Sequence, residues 1–252
     1  FDVNMLRGEM KIKTVLLVLC VSVSFLSAGQ TLIQEHQDLT GPFETPQAVT
    51  KACIECHEDA ADDMLKSRHW NWLGKETMIH GKKVKLGKKN MLNNYCVSIN
   101  SNWARCTSCH IGYGWKDGTF DFTKKENIDC LVCHDSTGTY KKFPTAAGYP
   151  VYKEKEKLFK AKKKIFKKVD LLKIARSVKK SSNKNCGACH FNGGGGHNVK
   201  QADLNNSLIK PDFETDVHMG HPDPKKRMTC SSCHKDDDKH DIKGALHASI
   251  AS

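Results

Sequence analysis

Apolar side chains are in short supply in this chain. Only 38% of its 252 residues are hydrophobic and 8% are aromatic, and the mean hydropathy is −0.54, low for a polypeptide of this length that must enclose a core from its own residues. Strand signals are missing as well: no segment alternates apolar and polar residues convincingly, so a sheet-based fold is not expected. Long hydrophobic runs are absent, since the run Thr14–Leu26 has about 13 residues where a membrane-spanning helix needs ~20. Outside one repeated pattern only two cysteines remain, Cys20 and Cys96, which excludes a disulfide scaffold.

What the chain does have is a pentad, C-x-x-C-H, five times over: CIECH at 53–57, CTSCH at 106–110, CLVCH at 130–134, CGACH at 186–190 and CSSCH at 230–234. Chance at this composition would supply roughly 0.03 such pentads. The pattern is that of c-type haem attachment. Two thiols three positions apart add to the two vinyl groups of one haem, and the adjacent histidine falls under the iron. A zinc site would need pairs of pairs at knuckle spacing, and a dithiol site would need no histidine. The attachment residues are therefore Cys53, Cys56, Cys106, Cys109, Cys130, Cys133, Cys186, Cys189, Cys230 and Cys233, with His57, His110, His134, His190 and His234 as proximal iron ligands. Five covalently attached haem c groups supply the apolar mass that the sequence lacks, and the haem-free chain is not expected to fold.

The N-terminus carries an address. From Met10, MKIK is a short cationic start, Thr14–Leu26 is apolar, and Ser27-Ala28-Gly29 offers small residues for cleavage, the three-part pattern of a secretory signal. Residues 1–9 read as an upstream extension, 10–29 as the signal peptide with Cys20 inside it, and 30–252 as the multihaem domain. The expected location is periplasmic or otherwise exported. The formal charge of +12 would ordinarily raise nucleic acid as a partner, but ten haem propionates offset nearly all of it. Much of the excess is local, with thirteen Lys/Arg against Glu154, Glu156 and Asp170 between residues 153 and 180. There Leu158, Ile165, Val169 and Leu172 recur at helical spacing, which predicts an amphipathic helix with a solvated lysine face. No nucleic-acid partner is expected.

The expected architecture is mainly α with extensive irregular loops, wrapped round a multihaem cytochrome c array. A helix is predicted for EDAADDMLKSRHWNWLG, ended by Gly74. The second and third pentads begin only 24 residues apart, which favours closely placed macrocycles. Each iron needs a second axial ligand unless its face is open, and eight histidines lie outside the pentads. His69, on the tryptophan-rich segment, and His197, beside four glycines that permit close backbone approach, are favoured together with His36, His218 and His240. His80, His221 and His247 rank lower.

Several long segments carry a family resemblance: SRHWNW, GKKN-x-x-NNYC, RCTSCHIGYGWKD, FDFTKKENIDCLVCHDSTGTYKKFPTAAGYP, CGACHFNGGGG and DVHMG. Together they resemble the octahaem tetrathionate reductase family of multihaem cytochromes, from about residue 36 to residue 244. That family has eight haems, so the resemblance implies a C-terminally short form here. It also implies a reductase of small sulfur or nitrogen species, with tetrathionate, nitrite and hydroxylamine as candidates, fed by a periplasmic or membrane-bound electron donor.

In the family one haem is catalytic and carries a lysine amine where the others carry histidine. The pentad Cys106, Cys109 and His110 matches that haem, and Lys116, Lys141 and Lys142 lie in the matching segments, Lys142 of the GTYKK loop being the first choice. A neutral amine is a replaceable ligand, which burial beside a cationic iron favours. Cys96, ten residues before Cys106, is either a thiol facing a sulfur substrate or a small buried apolar residue. The alternative function is a non-catalytic electron conduit with every iron six-coordinate. A homo-oligomer is left open by the sequence.

Overall fold

Short helices start where the sequence offers a cap, and the third, fourth and fifth pentads sit on such starts. In the computed structural model the described residues are 36–91, 98–159, 162–191, 193, 196–197, 199, 203–234, 240 and 242. The chain divides into two units, Phe1–Thr40 and Gly41–Ser252. Of the first, the described part is a turn at residues 36–38 followed by two residues without regular structure.

In the second unit, Thr45 caps helix α1 (Pro46–Ile54) by accepting from the Ala48 amide, and Pro46 opens the first turn, where it forfeits no hydrogen bond. Helix α2 (Glu58–Lys66) has Glu58 and Asp59 in its first turn and Lys66 in its last, each sign placed to suit the helix dipole. The first pentad spans the joint between them. Val49 and Thr50 are buried, and the Thr50 hydroxyl donates to the Ile128 carbonyl at 2.6 Å. That bond ties α1 to the approach of the third pentad.

The helix predicted through Gly74 is broken. Ser67 is extended (φ −69°, ψ 157°) and caps a new single turn, α3 (Arg68–Asn71), by accepting from the Trp70 amide. Trp72 then takes a left-handed conformation. The serine competes with the helix for backbone partners, and the kink lets Trp70 and Trp72 both turn inward, where they are buried.

The lysine-rich connector that follows is an antiparallel hairpin, β1 (Glu76–Ile79) and β2 (Lys82–Lys85), in the register Glu76↔Lys85 to Ile79↔Lys82. His80 and Gly81 form its tip, with φ of 47° and 75°. Two consecutive positive φ values match the twist of a two-residue hairpin. Its residues are almost all exposed, which is why no apolar alternation announced it.

Helix α4 (Trp103–Cys106) leads into the second pentad, and α5 (Cys130–His134) is the third. The segment after the second pentad is clamped from two sides. Asp129 N donates to Ile111 O at 2.7 Å, Tyr113 N to Asn127 O at 2.8 Å, and Gly114 N to Ala147 O at 2.8 Å. At Gly148 φ is +88°, and a Cβ there would overlap the Gly112 carbonyl, while a Cβ on Gly112 would lie 2.6 Å from Trp70. The 110–115 and 142–150 segments meet only because both positions are glycine.

The amphipathic helix expected over 153–180 is not present. Strands β3 (Lys155–Phe159) and β4 (Lys162–Phe166) pair antiparallel, Lys155↔Phe166 to Phe159↔Lys162, and only α6 (Leu171–Arg176) is helical, capped by Asp170. The four residues of the expected face, Leu158, Ile165, Val169 and Leu172, define it weakly, because other apolar residues such as Phe159, Phe166 and Leu171 fall off that spacing. Helices α7 (Asn183–His190) and α8 (Cys230–Cys233) each begin with a capping box, Ser182 with Asn185 and Thr229 with Ser232. The Cys230 amide donates to Asn183 Oδ1 at 2.9 Å, joining the fourth and fifth pentads. The described chain is thus short helices and irregular loops with two small hairpins. Among these residues no helix is long and apolar enough to cross a membrane.

Candidate functional site

The pentad cysteines bring their motifs together in space. None of the ten is in a disulfide, so all remain available for thioether bonds. Side-chain contacts pair thiols from different motifs: Cys53 with Cys130, Cys109 with Cys189, and Cys186 with Cys230. The first motif therefore adjoins the third, the second adjoins the fourth, and the fourth adjoins the fifth. Burial raises the Cys133 thiol to about 11.

Two histidine pairs stand at a separation that one iron would span. The rings of His69 and His190 have centroids 6.2 Å apart, and those of His134 and His240 are 6.3 Å apart. Imidazole nitrogens on opposite sides of a metal, each about 2 Å from it, place the ring centres roughly 6 Å apart. His134 is further prepared: its Nδ1 lies 2.8 Å from the Lys179 carbonyl. Facing an acceptor, that nitrogen must carry the proton, which leaves Nε2 as the lone-pair atom, the arrangement usual for metal-ligating histidine. Burial, followed by the neighbouring His134, lowers the His240 pKa and favours the neutral ring that a ligand requires. His240 also lines a cavity of about 530 Å³ with Glu55, Cys56, His57, Glu58, Asp59, Ala60 and Asp63, so it stands between the first and third motifs. These residues suit covalently bound haem.

His197, His218 and His221 make other contacts. His197 Nδ1 accepts from the Asn206 amide at 3.2 Å, which gives the opposite tautomer from His134. His218 is exposed, 4.0 Å from Asp216, and His221 Nδ1 accepts from the Asp223 amide at 3.0 Å. His80 is the exposed hairpin tip, and His36 lies in the turn of the first unit. Cys96, His247 and the 10–29 segment with Cys20 fall outside the described residues.

The second motif has an environment of its own. His110 is fully buried in an aromatic cage of Trp70, Trp72, Trp115, Phe120 and Phe122, with ring centroids 4.9–6.2 Å away. Burial pushes its pKa down to about 3, against the opposing pull of the Trp70 carbonyl. Its Nε2 donates to that carbonyl at 2.7 Å, and its Nδ1 has no hydrogen-bond partner. Ligation of iron through Nε2 requires release of the Trp70 contact. At the cage wall Lys89 sits 3.8 Å above the Phe122 ring and Lys88 4.5 Å above Trp72, cation–π contacts. Desolvation lowers the Lys89 pKa.

Of the three candidate lysines, Lys116 and Lys141 are exposed. Lys142 is different: its side chain is 7% exposed, and its Nζ lies 3.0 Å from Asp129 Oδ2. The same nitrogen donates to the His110 carbonyl and faces the Tyr113 ring at 5.7 Å. Asp129 is itself surrounded. Tyr113 donates to its Oδ1 at 2.8 Å, Tyr140 to its Oδ2 at 2.9 Å, and the Val132 amide to Oδ1 at 3.0 Å. Burial first, and then the Asp129 charge, raise both tyrosines well above the usual phenol range, so they remain hydrogen donors. Sequence reasoning passed over Asp129, Tyr113 and Tyr140. The available signal was a helix-capping aspartate directly before the third pentad.

Comparison with known proteins agrees with this arrangement. Residues 52–135, which hold the first three pentads, match the family described as cytochrome c554 and c-prime. An uncharacterised protein of Archaeoglobus fulgidus is 27% identical over 221 residues, covering 73% of this chain and 72% of that protein. The crystal structure of an octaheme cytochrome c from Shewanella oneidensis superposes with a TM-score of 0.68 at 46% identity, over 83% of this chain. The chain spans 42% of the length of that solved structure. Covalent haem c and electron transfer come with these relationships, and the chain is a multihaem c-type cytochrome similar in fold to an octahaem one.

Proposed function

We propose that this chain is part of an exported reductase that delivers electrons to small sulfur or nitrogen compounds at the haem of Cys106 and Cys109. Tetrathionate, nitrite and hydroxylamine are the candidate substrates. All five pentads of the chain carry haem c, residues 10–29 form the export signal, and electrons come from a periplasmic or membrane-bound donor. When bound, haem iron supplies one-electron chemistry at a potential set by its axial ligands and surroundings. His69 with His190, and His240 with His134, serve as axial pairs, for which their 6.2 and 6.3 Å separations speak.

The observation that carries the catalytic assignment is the burial of Lys142 against the His110 backbone, while Lys116 and Lys141 face solvent. Of the three candidate lysines only Lys142 is buried, and it contacts the backbone of the second motif while pairing with Asp129 at the edge of the third. The contrary reading, a conduit without catalysis, draws on the His110 imidazole, which is closed in by aromatic rings and engaged with Trp70. Turnover decides between them. Haem-loaded protein reduced by a viologen dye should reoxidise on addition of at least one of the three substrates. Lys142→Ala should change that rate by about tenfold or more, as expected when a buried, paired group is deleted. Lys83→Ala, on the exposed β2 strand, should leave it unchanged. Absence of reoxidation by all three substrates would favour the conduit.

A further inference from the structure

Asp129 accepts four hydrogen bonds, two on each oxygen: Tyr113 and the Val132 amide on Oδ1, Tyr140 and Lys142 on Oδ2. Four is about the full acceptor capacity of a carboxylate. The residue is 2% exposed, and Tyr113 and Tyr140 are 1% and 7% exposed. The two phenols also touch each other at 3.2 Å, which braces them around the carboxylate. A helix cap alone needs one of these bonds; capping the single turn of α5 does not call for two buried tyrosines and a buried lysine. The four donors also come from different places. Tyr113 follows the second pentad, Val132 lies within the third, and Tyr140 and Lys142 belong to the loop closed by Gly148.

We propose that Asp129, braced by Tyr113 and Tyr140, is the positioning residue for Lys142 at the haem of Cys106 and Cys109. It thereby ties that site mechanically to the helix carrying the next haem. The proposal rests on the assignment of Lys142 made above. Asp129 touches neither substrate nor iron; it fixes where the amine stands. Without its charge the lysine has only a backbone carbonyl and a ring face to hold it in a buried position. Because the same carboxylate caps α5, a shift of the second-motif segment is felt at the third motif.

Asp129→Asn separates positioning from capping, since asparagine caps a helix about as well as aspartate but offers no charge to Lys142. The haem-loaded full chain would be examined by EPR and by the rate of cyanide binding. In Asp129→Asn we expect the signal of one haem to change and its cyanide-binding rate to shift roughly tenfold or more, with the other haems unaltered. Tyr140→Phe, which keeps the ring and removes one donor, should shift the same haem to a smaller degree and guards against a variant that fails to fold. Asp129→Glu should restore part of the original spectrum. If Asp129→Asn and Tyr140→Phe both reproduce the parent spectrum and rate, Asp129 is a helix cap and the proposal is overturned while the reductase assignment stands. If no haem of the parent protein binds cyanide, both fall together.

Discussion

At the residue scale, the chemistry depends on which side chains are held in one state. His134 has its proton fixed on Nδ1 by the Lys179 carbonyl, and His240 is kept neutral by burial beside it. His69 reaches His190 only because Ser67 breaks the helix and re-aims the turn that follows. Replacement of His69 or His240 by alanine should each convert one low-spin iron to high spin, visible by EPR, and should do so at different haems. A spectrum unchanged by His69→Ala removes it from the axial set. The pentads were legible in the sequence because five covalent constraints admit one spacing. The partners of those pentads were legible only in part. His197, favoured for its glycine neighbours, accepts a hydrogen bond from the Asn206 amide on Nδ1. Asp129 was hidden because a capping aspartate in sequence gives no hint that two tyrosines, from 16 residues before and 11 after, converge on it.

Elements contribute by bringing loops close enough to matter. The hairpin β3–β4 stands where the spacing of Leu158, Ile165, Val169 and Leu172 suggested a helix, and β1–β2 turns on His80 and Gly81. The β1–β2 hairpin is almost wholly exposed, so it left no alternation by which strands are recognised. Helix caps were a readable signal that went unused: Thr45, Asp170, Ser182 and Thr229 all precede the helices they start. Close backbone approach was not, because a glycine in sequence does not say what lies against it. Gly148 and Gly81 both have positive φ, but only Gly148 faces a backbone oxygen; Gly81 has open space around it. Gly81→Ala should therefore cost about 1 kcal/mol, the strain of the left-handed conformation alone. Gly148→Ala adds overlap with Gly112 and should cost upwards of roughly 3 kcal/mol. Denaturant unfolding of the haem-loaded variants measures both. Equal losses at the two positions would mean that the Gly112–Gly148 approach does not hold the site together.

At the scale of the whole molecule, a polypeptide with few apolar residues builds its core around its cofactors. The described hydrophobic cluster of Trp72, Ile99, Cys106 and Trp115, with Trp103, Phe120 and Phe122 against it, gathers at the second motif. Elsewhere the pentads adjoin one another through their cysteines and histidines. Motifs one and three, two and four, and four and five are neighbours, so haems attached there would lie close to one another. The structural likeness extends over 83% of this chain, while the solved relative is longer, with this chain spanning 42% of it. The account stands or falls on one haem differing from the rest. The direct measurement is a cyanide titration of the purified haem-loaded protein at neutral pH, followed by optical and EPR spectra, with total haem counted by pyridine haemochrome. The account predicts five haems per chain and ligand binding at one of them, abolished or altered by Lys142→Ala, because only an iron with a displaceable ligand exchanges readily. Five haems that all resist cyanide would contradict it and leave an electron conduit in its place.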